Sequence, residues 1–194
     1  MLDASMELFA ERGFKATTTK DIAAKVGIKD ASIYSHFGSK QEIFNAIIER
    51  ALSHLQETLH ADDALFEASD NPRAYLTRDA DDLSRVVLDS YRPFFADAEL
   101  ICLRKMLVVN QFESERAGQL FQRIFIDQPL DLQTALFDRM VADGLFERCN
   151  TRLAAYEFHG PVFLLLMQNA SWTEAKSRIQ AHLRAFERTH RAAR

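Results

Sequence analysis

The sequence has few of the residues that make tight turns: its 194 positions include only six glycines and four prolines. Hairpin turns depend on these residues, so their scarcity disfavours a strand-rich fold. Leucine, alanine, phenylalanine and charged residues are plentiful instead. Because most of these residues are good helix formers, we predict an all-α protein.

Long apolar runs are also missing. A membrane-spanning helix needs about 20 consecutive apolar residues, and the best candidate, residues 161–167, is far shorter. The first residues contain no basic segment followed by an apolar one, so no secretory leader is predicted. Only two cysteines occur, Cys102 and Cys149, and they have no CxxC spacing. We therefore expect a reduced, cytoplasmic protein without disulfide bonds.

The motifs of enzymes and metal sites are absent as well. Six histidines occur without an HExxH motif or a repeated His/Cys spacing, so no metal site is predicted. The chain has no glycine-rich phosphate loop and no GxSxG nucleophile motif. We considered a helical enzyme as one hypothesis and reject it, since no catalytic group or cofactor is indicated.

Charge is segregated along the chain. The net charge is −4, which by itself disfavours a nucleic-acid partner. Residues 15–40, however, contain five lysines against two aspartates, whereas residues 62–99 contain ten acidic residues against four arginines. The acidic middle of the chain thus masks a basic segment near the N-terminus.

This basic segment has the pattern of short helices joined by glycine turns. Gly13 ends a first apolar-periodic helix, and Thr18 with Asp21 forms a capping box that opens a second helix ending at Gly27. A third short helix is predicted over residues 30–37, with Asp30 as its cap, and Ser39 with Glu42 opens a long fourth helix. Two short helices across a glycine turn are typical of a helix-turn-helix that reads the DNA major groove.

The residues themselves resemble a known family. The segments Leu-Phe-Ala-Glu-Arg-Gly-Phe (8–14), Asp-Ile-Ala (21–23), Val-Gly-Ile (26–28) and Ser-Ile-Tyr-Ser-His-Phe (32–37) are similar to the N-terminal domain of the TetR family of bacterial transcriptional regulators. The resemblance implies a three-helix DNA-binding domain over residues 1–45. It implies a larger helical domain for effector binding and dimerisation over residues 46–194. Asp30 and Ala31 depart from the family's usual Lys-Gly, so Asp30 is either a cap or an acceptor from a cytosine amino group.

The resemblance also implies which residues contact DNA. Thr17 and Thr18 would donate to a phosphate at the start of the second helix, although both could serve only as caps. Lys40 and the Tyr34 hydroxyl would contact phosphates, and His36 would contact the backbone or pack beneath it. The candidates for base contacts are Lys29, Ala31, Ser32 and Ser35.

Helical patterns continue through the second half of the chain, after a polar segment at residues 62–79 that is predicted to be a loop. Family members form an effector cavity in this half, and each apolar residue there could belong either to such a cavity or to the core. The tentative ligand-binding residues are Tyr91, Phe95, Leu103, Arg104, Met106, Leu107, Asn110, Phe137 and Phe163.

The last two predicted helices resemble the pair that joins two protomers in this family. Leu153, Tyr156 and Leu166 are among the apolar residues of this pair, which face either a partner or their own core. The leading hypothesis is therefore a homodimeric repressor that binds a palindromic operator and is released by a small apolar effector. The alternative is a DNA-binding regulator without a small-molecule effector, either an activator or one controlled by a partner protein.

Overall fold

The computed structural model describes residues 1–61 and 80–192 and is helical throughout these ranges apart from short connections. The predicted all-α fold is confirmed. The predicted loop at residues 62–79 lies outside the described residues. In chain order the helices are α1 (Leu2–Ala16), α2 (Thr19–Val26), α3 (Asp30–Ile33), α4 (Lys40–Ala61), α5 (Ala80–Ala96), α6 (Ala98–Asn110), α7 (Glu115–Gln122), a π-helical turn (Arg123–Asp127), α8 (Gln128–Ala142), α9 (Thr151–Met167) and α10 (Trp172–His190).

Side-chain caps fix where several helices begin. The predicted capping box is present at α2, where Thr18 and Asp21 bond each other's backbone N–H groups. Asn150 accepts a hydrogen bond from the N–H of Leu153 at the start of α9, and Ser171 accepts one from the N–H of Glu174 at the start of α10. These short polar residues replace the intrahelical partners that the first N–H groups of a helix lack, which makes the helix boundaries readable in the sequence.

The chain divides into two compact units. The first comprises Met1–Glu57 and Ala98–Arg123, and the second comprises the described parts of Thr58–Asp97 and Ile124–Arg194. The DNA-binding domain was predicted to end at residue 45, inside α4, whereas the first compact unit continues to Glu57 and includes α6 and α7. That residues 1–45 alone bind DNA stays a prediction.

In the first unit, α1 packs along α6. Gly13 interrupts α1 with φ 82° and ψ 165°, a backbone conformation that side chains with a Cβ rarely adopt. The core beneath this break contains the rings of Phe9, Phe14 and Phe44, whose centroids lie 5.2 to 5.5 Å apart. Ile22 and Ile33 are fully buried in this unit as well, so the short helices are held by packing more than by their own length.

The second unit has an aromatic core of its own. Phe137 lies 5.2 to 5.6 Å, between ring centroids, from the rings of Phe146, Phe158 and Phe186. These rings bring α8, α9 and α10 together around one cluster. Among the described residues, no helix is long and apolar enough to span a membrane.

Candidate nucleic-acid interface

The start of α2 presents an exposed set of hydrogen-bonding groups. Thr18 is exposed, but its hydroxyl donates to Asp21 Oδ2 at 2.6 Å, and this bond lowers the pKa of the Asp21 carboxyl. Thr19 and Lys20 follow as the first two residues of the helix. The N–H groups of a first helical turn point outward, so this end of α2 is suited to receive a phosphate.

Thr17 does not take part in this surface. Its side chain is buried, and its hydroxyl donates inward to the carbonyl oxygen of Gly13 at 2.8 Å. This corrects the prediction that the Thr17 hydroxyl donates to a phosphate, because its proton is already donated to the Gly13 carbonyl. The sequence alone shows three consecutive threonines and does not indicate which of them points outward.

Tyr34 connects the segment after α3 with the start of α2. Its ring is 55% exposed, and its hydroxyl lies 3.3 Å from the Thr19 hydroxyl, so one of the two groups donates to the other. The pair places two hydroxyls side by side on one exposed surface. Thr19 was missed in the sequence, although it directly follows two residues that were selected.

The third helix is shorter than predicted. The α-helix covers Asp30–Ile33 only, and Tyr34 to His36 form a turn in which the N–H groups of His36 and Phe37 both bond the carbonyl of Ile33. The predicted base-contacting residues Lys29, Ala31, Ser32 and Ser35 are all exposed, as is His36. The Ser35 hydroxyl donates to the carbonyl of Ser32 at 2.7 Å and therefore offers its oxygen to DNA only as an acceptor.

Asp30 is not the cap of α3. The cap position is Lys29, which makes no side-chain capping bond, and Asp30 is the first residue of the helix. Its Oδ1 atom is buried and accepts no hydrogen bond from the described residues. This corrects the prediction of an Asp30 cap, whereas the alternative role of Asp30 as an acceptor from a cytosine amino group stays a prediction.

Lys40 binds the protein's own backbone. Its ammonium nitrogen donates to the carbonyl oxygens of Phe14 and Thr17, each at 2.6 Å, and lies 4.3 Å from the centroid of the Phe14 ring. Desolvation lowers the pKa of this half-buried lysine. The geometry supports a structural role in which the start of α4 holds the connection between α1 and α2.

The remaining lysines of the basic segment differ in whether they pair with an acidic side chain. Lys25 pairs with Glu7 at 2.6 Å, and Lys15 lies 3.8 Å from Glu113. Lys20 and Lys29 are exposed and form no ion pair with any residue in the described ranges. These two lysines are therefore the cations of this segment best placed to meet a phosphate, and Lys20 adds to the set selected from sequence.

Five of the predicted ligand-binding residues belong to the core of the first unit. Leu103, Arg104, Met106, Leu107 and Asn110 lie on α6 and are at most 4% exposed. The Asn110 side chain bonds the backbone of Phe9, Phe14 and Met106. Asn110 is therefore a structural clasp, which corrects its assignment as a ligand contact. Helical periodicity marks these residues as buried but does not indicate against which unit they pack.

The other four predicted ligand-binding residues belong to the second unit. Phe137 sits in the aromatic cluster, and Phe95 packs against Trp172 with ring centroids 6.1 Å apart. The His159 ring centroid lies 6.3 Å from that of Tyr91 and 6.0 Å from that of Phe163. His159 is a buried polar residue that the sequence pattern did not indicate.

One face of α9 carries exposed apolar side chains. Leu153, Tyr156 and Leu164 are 53 to 57% exposed, and they recur at helical spacing around Gly160. Leu166, on another face of the helix, is buried. A groove of about 190 Å³ is lined by residues of both helices, among them Leu165 of α9 and Ile179 of α10.

Comparison with known proteins agrees with this arrangement. Residues 1–47 match the family model described as bacterial regulatory proteins, tetR family. A helix-turn-helix transcriptional repressor of Mycobacterium tuberculosis is 33% identical over 91 residues, which is 47% of this chain and 46% of that protein. The chain thus covers about half the length of this relative.

Solved structures share the fold over nearly the whole chain. A putative TetR-family regulator from Mesorhizobium loti is 20% identical with a TM-score of 0.65, over 98% of this chain and 95% of that one. SmeT, the repressor of a Stenotrophomonas maltophilia multidrug efflux pump, is 25% identical with a TM-score of 0.60, over 98% of this chain and 88% of that one. Residues 1–47 thus match the tetR family of bacterial regulatory proteins, and the chain shares its helical fold with solved structures of TetR-family regulators.

Proposed function

We propose that this protein is a transcriptional repressor that binds a palindromic operator as a homodimer and releases it when a small apolar effector binds. The observation that carries the proposal is the exposed surface at the start of α2, where the Tyr34 and Thr19 hydroxyls lie 3.3 Å apart. Lys20 and Lys29 add exposed positive charge on the same helix-turn-helix segment. Hydroxyls, helix N–H groups and lysines are the groups that position a protein on DNA phosphates.

Sequence reading is assigned to the exposed residues of α3 and its N-terminal flank. Ser32 presents a hydroxyl, Ser35 an acceptor oxygen, and Ala31 a methyl group that fits against a thymine methyl. The four-residue helix offers few base contacts. A single module of this size buries little surface, so specific binding requires two copies on two half-sites.

We assign the contact between the two copies to the exposed apolar face of α9. Leu153, Tyr156 and Leu164 expose about half of their surface each, and such a contiguous apolar patch is typical of a protein interface. A two-fold axis through this face would place the same residues of each copy against one another. The resulting dimer would hold two helix-turn-helix units at a fixed separation.

The effector is assigned to the second unit. SmeT, which shares this fold, is known in complex with triclosan. In this chain the aromatic residues around His159 provide apolar surface suited to a small molecule. Release then requires a shift between two dimer conformations that the effector and the operator stabilise differently.

The test is selection of duplexes from a random pool, followed by fluorescence-anisotropy titration of a selected duplex and a scrambled one at two salt concentrations. A repressor prefers the selected duplex at the higher salt, where nonspecific phosphate binding weakens. An effector must lower operator affinity by the same factor by which the operator lowers effector affinity. Equal binding to both duplexes at every salt concentration contradicts operator recognition, and equal effector affinity with and without operator contradicts the coupling.

A further inference from the structure

Four elements of the second unit meet in a buried chain of hydrogen bonds. Gln133 of α8 bonds through Nε2 to the Tyr91 hydroxyl of α5 at 2.7 Å. That hydroxyl lies 3.3 Å from His159 Nδ1 of α9. His159 Nε2 in turn lies 2.8 Å from the carbonyl oxygen of Phe125 in the π-helical turn. Both Gln133 and His159 are at least nine-tenths buried.

The direction of every bond in this chain follows from the Phe125 carbonyl. A carbonyl oxygen only accepts, so His159 Nε2 carries the proton. Burial lowers the pKa of His159, so the ring is neutral at pH 7 and its Nδ1 is an acceptor. The Tyr91 hydroxyl, whose pKa burial raises, therefore donates to His159. Its oxygen is left to accept the N–H of Gln133, which also fixes the orientation of the Gln133 amide.

This chain of bonds leaves one group unused. Gln133 Oε1 is buried and accepts no hydrogen bond from any residue in the described parts of the chain. Burying an acceptor without a donor costs free energy, and native proteins leave few such atoms unexplained. Turning the Gln133 amide over would replace the Nε2 donor that bonds the Tyr91 hydroxyl and would break that bond. The hydrogen bonds of the network therefore leave Gln133 Oε1 without a donor.

The surroundings of the network are aromatic. The Phe163 ring lies 6.0 Å from the His159 ring, and the rings of Phe94 and Phe125 lie 5.9 Å apart, between centroids. Tyr91 also packs against the aromatic cluster around Phe137. A molecule beside Gln133 would therefore meet ring faces and edges together with one fixed polar atom, a combination typical of small-molecule sites.

We propose that Gln133 Oε1 is the specificity point of the effector site and accepts a hydrogen bond from a neutral hydroxyl or N–H group on an apolar, ring-containing effector. This inference rests on the proposed function and names the chemical class of its effector. An anion is disfavoured because it presents no proton to Oε1. A cation is disfavoured because none of the side chains in this network carries a negative charge that would pair with it. A phenol has both the ring and the neutral donor.

The test compares matched ligands on the full-length protein by isothermal titration calorimetry, without DNA. The probes are 2-naphthol and 4-phenylphenol, each paired with its methyl ether, which keeps the rings and removes the donor. We expect at least one phenol to bind about tenfold more tightly than its ether, since a site built to bond a donor discriminates against an analogue without one. Equal affinity of phenol and ether, or no binding by either phenol, overturns the proposal.

A variant locates the contact. Gln133→Met keeps the length of the side chain and removes the acceptor, so it should lose the preference for phenol over ether. The control is Gln168→Met, at an exposed glutamine that follows α9, which should keep that preference. If Gln133→Met keeps the full preference for phenol over ether, the assignment of the contact to Gln133 is wrong. If this variant fails to fold, the ligand pairs still test the proposed effector class on the wild-type protein. Because no step uses DNA, a failure of operator binding is distinguished from a failure of this proposal.

Discussion

The side-chain oxygen of Asn110 accepts a hydrogen bond from the backbone N–H of Phe14 at 2.6 Å, although the two residues are 96 positions apart in the sequence. The Asn110 amide nitrogen donates to the carbonyls of Phe9 and Met106 at 3.1 and 2.7 Å. One amide on α6 thus bonds two backbone groups of α1 beside the break at Gly13, the N–H of Phe14 and the carbonyl of Phe9. The helix-turn-helix unit is completed by a residue from the middle of the chain.

Replacing Asn110 should therefore destabilise the first unit. Asn110→Leu removes three hydrogen bonds to backbone groups, those to Phe14, Phe9 and Met106, and we expect the free energy of unfolding to fall by about 2 to 4 kcal/mol in urea denaturation. Gln119→Leu, at an exposed position of α7, is the control and should change it by less than about 0.5 kcal/mol. Equal stability of the two variants would show that the Asn110 clasp is unimportant.

Lys40 and Lys20 should separate structure from DNA contact. Lys40→Met removes the bonds to Phe14 and Thr17 and should lower the free energy of unfolding by about 1 to 3 kcal/mol. It should leave the salt dependence of DNA binding unchanged. Lys20→Met should keep the stability but reduce the slope of log affinity against log salt by about 1, the effect of losing one phosphate contact. If instead Lys40→Met reduces the salt dependence of DNA binding and Lys20→Met does not, the phosphate contact belongs to Lys40.

Tyr34→Phe tests the hydroxyl pair at the start of α2. Removing one neutral donor to phosphate should weaken binding by about threefold to tenfold, equally for the selected and scrambled duplexes, in anisotropy titrations. Ser53→Ala, which removes an exposed hydroxyl of α4, serves as the control and should bind DNA like the wild type. A loss confined to the selected duplex would instead assign Tyr34 to base reading.

His159 should make stability fall in mild acid. Burial lowers its pKa in the folded state, so below about pH 6.5 the unfolded chain takes up a proton that the folded chain refuses. Above that pH, His159 does not change the free energy of unfolding. Below it, the free energy of unfolding falls by up to about 1.4 kcal/mol for each pH unit, until the folded-state pKa is reached. Urea denaturation at pH 7.5, 6.5 and 5.5 measures it, and His159→Gln should flatten the dependence.

Leu164→Glu tests the apolar face of α9. A carboxylate in the centre of an interface should convert the dimer to a monomer in size-exclusion chromatography with light scattering, because two like charges would be buried against each other. Phe112→Glu, at a side chain that is 92% exposed in the first unit, changes the same charge elsewhere and should leave the dimer intact. A dimer that survives Leu164→Glu places the interface on another surface.

The local features of this fold could be predicted because they depend on residues a few positions apart. The capping box of Thr18 and Asp21 is decided within one helical turn, and it was predicted from the sequence. The end of α3 was predicted four residues too late, because Phe37 continues the apolar spacing without continuing the helix.

The candidate site was harder to predict because exposure depends on distant contacts. Of three consecutive threonines, Thr17 turns inward to the Gly13 carbonyl while Thr19 faces Tyr34. Lys40 looks like any surface lysine in the sequence, and only the folded chain brings the Phe14 and Thr17 carbonyls to its ammonium group. Spacing shows that a residue is polar and helical but does not show which way it turns.

By itself, the sequence determined the helices, their caps and the helix-turn-helix pattern, since these follow from propensity and from hydrogen bonds between near neighbours. The tertiary structure alone decided that α6 joins α1, that Asn110 clasps the break at Gly13, and that Gln133, Tyr91 and His159 form one network. Those outcomes depend on groups between 26 and 96 residues apart meeting in a common core, and periodicity within a helix carries no information about its partner.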